Sequence, residues 1–105
     1  MDKHEAQMVG FEIVAYSGDA RSQLLNALKE AKEGNFVEAD KLVDEAKQSL
    51  VDAHNSQSKM LSMEAAGEDI ELGFIMVHGQ DHLMTTLLLQ DVIQDFIELY
   101  KRTNK

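Results

Sequence analysis

The chain has 105 residues, with no cysteine, no proline and a formal net charge of −9 from 19 acidic and 10 basic side chains. This length fits one domain, residues 1–105, and the lack of cysteine excludes disulfides, thiolate metal sites and cysteine nucleophiles. The acidic balance argues against binding to nucleic acid or to anionic membranes, because phosphate groups are held by clustered lysine and arginine.

The chain starts with the polar stretch MDKHEAQ, which lacks the apolar core of a secretory signal. No uninterrupted apolar stretch approaches the roughly 18 residues that cross a bilayer. We therefore expect a cytoplasmic protein without direct membrane insertion.

The composition favours helix from end to end, with two interruptions. At the first, Gly34 can close one helix in the left-handed conformation, and Asn35, with Glu38 three residues later, can cap the next. The second is the polar stretch AAGEDIELG, residues 65–73. Short connections make neighbouring helices antiparallel. We predict an all-α, up-down-up three-helix bundle with helices at about Glu5–Lys32, Phe36–Ala65 and Phe74–Arg102.

The first predicted helix carries an apolar stripe at three- and four-residue steps, and we expect this stripe to be buried. It consists of Phe11, Val14, Ala15, Leu24, Leu25, Leu28 and Ala31. Ser17 and Gly18 interrupt it. Because a mid-helix glycine is about 1 kcal/mol less favourable than alanine, we expect a kink or a close helix contact at Gly18.

The second predicted helix has a similar stripe, from Phe36 to Leu61, and turns polar after Ala53. The third has its apolar residues on most sides, which favours self-association through this helix. Because successive residues of a helix are rotated by about 100°, two histidines lie on the same face of the third helix as residues that we expect in the core. This face holds His78, His82, Thr85, Leu89, Val92 and Phe96, and the other apolar residues are Leu83, Met84, Leu87, Leu88 and Ile93.

The stretch VHGQDHLMTT, residues 77–86, places His78, Asp81 and His82 within two helical turns. Two histidines four apart with a carboxylate can bind a transition metal, but Gly79 stands where a zinc protease has its glutamate. Alternatively, His78 is a nucleophile that holds a phosphoryl group, since neutral imidazole is available near neutral pH. A third reading is that both histidines are packing residues at a helix interface.

Three strings carry a resemblance to a known family: HGQDHLMTT, GFEIVAYSGDARS near the start and IELYKR near the end. Together they resemble the IIA component of the lactose/cellobiose family of the bacterial phosphoenolpyruvate-dependent sugar phosphotransferase system. The resemblance runs over essentially the whole chain. The glycine after His78 and the FEIVAYSGDARS string look more like the lactose branch than the cellobiose or chitobiose one.

The resemblance implies a phosphocarrier. His78 would accept a phosphoryl group from the histidine-containing phosphocarrier protein and pass it to a cysteine of the IIB domain of a sugar transporter. It also implies a homotrimer of three-helix subunits, in which Asp81 lies near the three-fold axis and binds a metal ion, usually magnesium. The alternatives are the same role for cellobiose or chitobiose-type sugars, and a metal-dependent hydrolase built on His78, Asp81 and His82.

The roles of the neighbouring residues are less defined. His82 lies one turn from His78 and can contact the phosphoryl group, orient His78 or pack in an interface. Gln80 is a candidate supporting contact. Gly79 would allow a partner protein to approach closely, and His54 is expected to be a surface histidine on the second helix.

Overall fold

The computed structural model describes residues 1–104 and contains three α-helices. They are α1, Lys3–Lys32, α2, Phe36–Ala65, and α3, Phe74–Thr103. The predicted helices agree with these bounds to within two residues. The helices form a rod 56 Å long and 20 by 17 Å across, in which α1 packs closely along both other helices while α2 and α3 touch much less. The predicted three-helix, up-down-up bundle is confirmed.

Both connections begin with the same helix ending. Gly34 and Gly67 have φ values of +82° and +89°, in the left-handed region that favours glycine. After each glycine, the next backbone N–H donates to the carbonyl five residues back, from Asn35 to Glu30 at 2.9 Å and from Glu68 to Met63 at 3.1 Å. These bonds define Schellman motifs, which stop the helices and reverse the chain.

The predicted side-chain cap at the start of α2 is wrong. Asn35 occupies the N-cap position, but its side chain accepts no hydrogen bond from the first turn of α2. Its Nδ2 instead donates to Glu30 Oε2, 2.9 Å away. The side chain therefore reinforces the end of α1. At the start of α1, Asp2 does act as a cap, since its Oδ1 accepts from the Glu5 N–H at 2.8 Å.

The core of the bundle is rich in alanine, which lets α1 lie close to its two neighbours. This arrangement corrects the predicted stripe of α1: Leu24 and Ala31 are buried, but Phe11 and Leu25 are 57% and 49% exposed. The buried residues of α1 are Ala6, Gly10, Ile13, Ser17, Ala20, Leu24, Ala27 and Ala31. The predicted buried face of α1 is wrong because small residues of this helix, more than its large ones, point into the bundle.

The face of α3 was also predicted wrongly. The bundle buries Met76, Gly79, Leu83, Thr86, Ile93 and Ile97, whereas Val92 and Phe96 are 40% and 46% exposed. His78 therefore shares a face with apolar side chains that lie outside the core of the single chain. Leu83 and Ile93, which were counted towards self-association, belong to that core instead. Met84 and Leu88 remain exposed.

The close helix contact lies at Gly10 and Gly79, not at Gly18. A Cβ atom on Gly79 would be 3.1 Å from the carbonyl oxygen of Gly10, whereas a Cβ on Gly18 would meet nothing within 4 Å. The helix continues through Gly18. Gly79 thus brings α3 against α1 within the chain, which corrects the expectation that it makes room for a partner protein.

Within residues 1–104, no helix combines the length and the hydrophobicity needed to cross a bilayer.

Candidate functional site

The two histidines of α3 form a pair on successive turns. Their ring centroids are 4.4 Å apart, and the ring planes meet at 81°, an edge-to-face arrangement. His78 is exposed and His82 is half-buried. One ring is therefore open to an incoming reactant, while the second supports it from the side of the bundle.

His82 is held in an environment that favours its neutral form. Burial lowers the pKa of His82 below 6.5, and the charges of Arg21 and His78 lower this pKa further, while Asp81 acts in the opposite direction. Its Nδ1 atom is buried without a hydrogen-bond partner in the described residues. A neutral imidazole keeps one N–H and one lone pair, so His82 can either donate to or accept from a group bound on His78.

Arg21 of α1 contacts α3 close to His82, although it was not among the site residues predicted from sequence. Its Nη2 donates to Thr85 Oγ1 at 2.8 Å and to Thr86 Oγ1 at 3.4 Å. Thr85 Oγ1 in turn donates to the carbonyl oxygen of Asp81 at 2.7 Å. The guanidinium therefore lies over the turn of α3 that contains His82.

Gln80 faces away from the histidine pair. It lies two residues after His78, about 200° around the helix. Its Oε1 accepts a hydrogen bond from Gln57 Nε2 on α2, and its own Nε2 lies 4.0 Å from Met76 Sδ. In the single chain, Gln80 is therefore a contact between α2 and α3 rather than a neighbour of His78.

Asp81 lies on the exposed face of α3, about 60° around the helix from His78. Its carboxylate makes no hydrogen bond and no ion pair to the residues that the structure describes. Nor does any group of three His, Cys, Asp or Glu side chains in residues 1–104 come close enough to hold a metal ion. A metal at Asp81 thus needs ligands from beyond a single copy of the chain.

His54 is exposed on α2, as expected. It borders a groove between α2 and α3 together with Leu87 and Gln90. These α3 residues lie more than two turns beyond His78, so His54 stands apart from the histidine pair.

A separate apolar cavity of about 180 Å³ lies between α2 and α3 near the second connection. Its lining includes Met60, Ile70, Met76 and Gln80. His78 is exposed and lies outside this cavity. A macromolecular donor can therefore reach it without entering an enclosed pocket.

Comparisons with known proteins find similar sequences over almost the whole chain. Residues 8–101 match the sequence model of the family described as "PTS system, Lactose/Cellobiose specific IIA subunit". The lactose-specific EIIA component of the PTS from Lactococcus lactis subsp. lactis is 57% identical over 105 residues, covering 100% of both chains.

Solved structures with lower sequence identity have a similar fold. The cellobiose-specific enzyme IIA from Bacillus anthracis superposes with a TM-score of 0.90 and 36% identity, covering 97% of this chain and 92% of that one. The IIA(Chitobiose) protein from the IIA(Chitobiose)-HPr complex of Escherichia coli gives a TM-score of 0.82 with 33% identity, covering 95% and 97%.

Proposed function

The chain belongs to the lactose/cellobiose-specific IIA family of the sugar phosphotransferase system, and we propose that it carries the phosphoryl group of this system on His78. The observation that supports this role most directly is the exposed His78 ring, which is braced by the half-buried ring of His82 at 4.4 Å. A nucleophile of this kind needs access to its donor and a neutral lone pair.

The proposed donor is the histidine-containing phosphocarrier protein. Its support is the family resemblance and the solved complex of the chitobiose IIA protein with HPr. In the first step, a nitrogen of His78 forms a bond to phosphorus as the donor's phosphorus–nitrogen bond breaks. In the second step, a cysteine thiolate of the IIB domain forms a bond to phosphorus, and His78 leaves as neutral imidazole once it has taken up a proton. We propose that the chain meets both partners in the cytoplasm.

We propose that the chain works as a homotrimer assembled through α3. Seven large apolar side chains of this helix, here called the α3 seam, are 40% to 87% exposed in the single chain. They are Phe74, Val77, Met84, Leu88, Val92, Phe96 and Leu99. A run of this size along one side of a helix is typical of a surface that packs against further copies. His78 borders this seam and would lie at the edge of the assembly.

We propose magnesium as a structural ion held by Asp81 from each copy. The donor set fits a hard cation, because Asp81 offers carboxylate oxygens that have no partner within residues 1–104. Three carboxylates within the α3 seam would repel one another, and burying them uncompensated is unfavourable. The ion would neutralise these charges, while the phosphoryl transfer is left to the histidines.

Chelation by EDTA should weaken the wild-type trimer and the His78→Ala trimer but not an Asp81→Asn trimer.

The proposed sugar system is that of lactose. This choice follows the 57% identity to a lactose-specific component, compared with 36% and 33% for the cellobiose and chitobiose proteins. The alternative is the same role in cellobiose or chitobiose uptake. Transfer to a lactose-type IIB domain should be faster than transfer to a cellobiose-type one, and the reverse ranking would favour the alternative.

The hydrolase alternative lacks structural support in a single chain. Although the rings of His78 and His82 are close, Asp81 does not join them in a three-ligand group within residues 1–104. A zinc hydrolase would lose its metal on His78→Ala, whereas the phosphocarrier would keep its magnesium.

One incubation tests the proposed function. The chain is mixed with phosphoenolpyruvate, the general enzyme of the system and the histidine-containing phosphocarrier protein, and its intact mass is measured. We expect a gain of one phosphoryl group that is labile in acid and stable in base. His78→Ala should abolish the gain. His54→Ala, which removes an exposed histidine of α2, is the matched control and should retain it. An unchanged wild-type mass would reject the proposal.

A further inference from the structure

Arg21 is a half-buried cation that reaches across the interface between α1 and α3. Its Nη2 donates to two threonine hydroxyls of α3, Thr85 at 2.8 Å and Thr86 at 3.4 Å. Among the described residues, neither Nε nor Nη1 of Arg21 makes a hydrogen bond. The guanidinium is thus fixed at one nitrogen and keeps N–H groups available at the others.

The hydrogen bonds of Thr85 show that this residue positions Arg21. Thr85 Oγ1 accepts from Arg21 and donates its own proton to the carbonyl oxygen of Asp81 at 2.7 Å. The same oxygen lies 3.3 Å from the carbonyl oxygen of His82. The hydroxyl is therefore folded back towards His82. It holds Arg21 close enough for the guanidinium charge to lower the pKa of His82, whose ring contacts that of His78.

Among the described residues, Arg21 also lacks a carboxylate partner, although the chain is strongly acidic. The sequence has 19 acidic and 10 basic side chains, yet the ion pairs within residues 1–104 involve Lys101 with Asp40 and Arg102 with Glu98. A partly buried guanidinium without a counter-ion is poised to bind an anion. Its planar N–H groups suit phosphate oxygens, which they can contact in pairs.

We propose that Arg21 binds the oxygens of the phosphoryl group carried by His78, with Thr85 as the residue that positions the guanidinium. This inference rests on the proposed function, because it needs a phosphorylated His78. Arg21 makes and breaks no covalent bond in this role. It offsets the charge of the phosphoryl dianion in an acidic protein, and so lets the donor, and later the IIB thiolate, approach phosphorus.

The proposal has a thermodynamic consequence that separates binding from a merely structural role. Contacts from Arg21 to the phosphoryl oxygens stabilise the phosphorylated chain relative to the free chain, and so shift the equilibrium of phosphoryl exchange with the donor. Loss of one or two hydrogen bonds to a charged group should lower the exchange equilibrium constant by about 10- to 100-fold. A residue that only holds α1 against α3 changes stability but leaves this constant unaltered.

The experiment mixes the phosphorylated phosphocarrier protein with the full chain, in the absence of phosphoenolpyruvate and the general enzyme. The phosphoryl occupancy at equilibrium is then measured by intact mass. We compare wild type, Arg21→Gln and Arg21→Lys. The matched control is Arg102→Gln, which removes one positive charge from the last turn of α3, far from His78. Circular dichroism establishes that each variant is folded.

We expect Arg21→Gln to lower the exchange equilibrium constant by at least about 10-fold. Arg21→Lys should lower this constant less, because lysine keeps the positive charge but lacks the planar set of N–H donors. Arg102→Gln should leave the constant unchanged. If Arg21→Gln does not fold, the reduction in Arg21→Lys decides the question. Equal constants in the folded variants and the wild type would overturn the role of Arg21 while leaving the phosphocarrier intact. A wild-type chain that takes up no phosphoryl group would instead reject the proposed function itself.

Discussion

Gly10 of α1 and Gly79 of α3 lie in close backbone contact. Gly79 directly follows His78, the proposed phosphoryl acceptor. A Cβ on Gly79 would be 3.1 Å from the Gly10 carbonyl oxygen and 3.3 Å from Ile13 Cβ. A Cβ on Gly10 would meet backbone atoms of Ile75 and Met76 at 3.1 to 3.2 Å. Because backbone atoms cannot move aside as a flexible side chain does, this contact fixes the position of His78 along the axis of α1.

We predict that Gly10→Ala lowers the free energy of unfolding by about 1 to 3 kcal/mol, as overpacking of a tight interior does. Urea denaturation measures the change. The matched control is Gly18→Ala in the same helix, where a Cβ has open space. This control should stabilise the chain by about 0.5 to 1 kcal/mol, because alanine is the better helix former. A destabilising Gly18→Ala would indicate that another chain occupies that space in the assembly.

The pKa of His82 is predicted to lie below 6.5, because burial and the charges of Arg21 and His78 disfavour the imidazolium. NMR titration of the ring signals measures it. Arg21→Gln should raise this pKa, and the distant substitution Arg102→Gln should leave it unchanged. The unfolded chain binds this proton near pH 6.5 and the folded chain only at lower pH. Acidification through that interval therefore favours unfolding, and His82→Gln should reduce the loss of stability.

Gln80 is predicted to act on stability rather than on phosphoryl transfer. It is hydrogen-bonded to Gln57 across the weak contact between α2 and α3. Gln80→Ala should cost about 1 kcal/mol of unfolding free energy, as loss of one intramolecular hydrogen bond does. A double-mutant cycle with Gln57→Ala should show coupling between the two. A transfer rate that falls tenfold in folded Gln80→Ala would instead support the contact to the phosphoryl group suggested by the sequence.

The α3 seam is predicted to be the assembly surface. Leu88→Glu places a charge in the seam and should convert the proposed trimer to monomers, as measured by sedimentation equilibrium, because burying an unpaired carboxylate is unfavourable. Leu61→Glu is the matched control: Leu61 is 59% exposed on α2, close to the 63% of Leu88, and lies outside the seam. Dissociation by Leu61→Glu, with Leu88→Glu still trimeric, would move the interface to α2.

The helix bounds were predictable because local chemistry sets them. Gly34 and Gly67 supply the left-handed residue that ends a helix, and the chain has no proline that would interrupt a helix elsewhere. The orientation of each helix was harder to predict, since large apolar residues occur on both the buried and the exposed sides. Phe11 and Phe96 look like core residues by size, yet the closely packed interior selects alanine and glycine.

The candidate site was predictable only in part. The contact between His78 and His82 follows from their spacing of four residues on one helix. The position of Gln80 towards α2 also follows from helix geometry, since 200° separates it from His78. Arg21 could not be assigned this way, because its contact with Thr85 joins residues 64 positions apart and depends on how α1 packs on α3.

The most direct test is to locate the phosphoryl group after a single turnover. The phosphorylated phosphocarrier protein is mixed with the wild-type chain, the reaction is stopped in base within one turnover, and the peptides are analysed by tandem mass spectrometry. We predict that the phosphoryl group is on His78 and that it disappears when a IIB domain with a reduced cysteine is added. A phosphoryl group on His82 or His54 under these conditions, with His78 unmodified, would contradict the account.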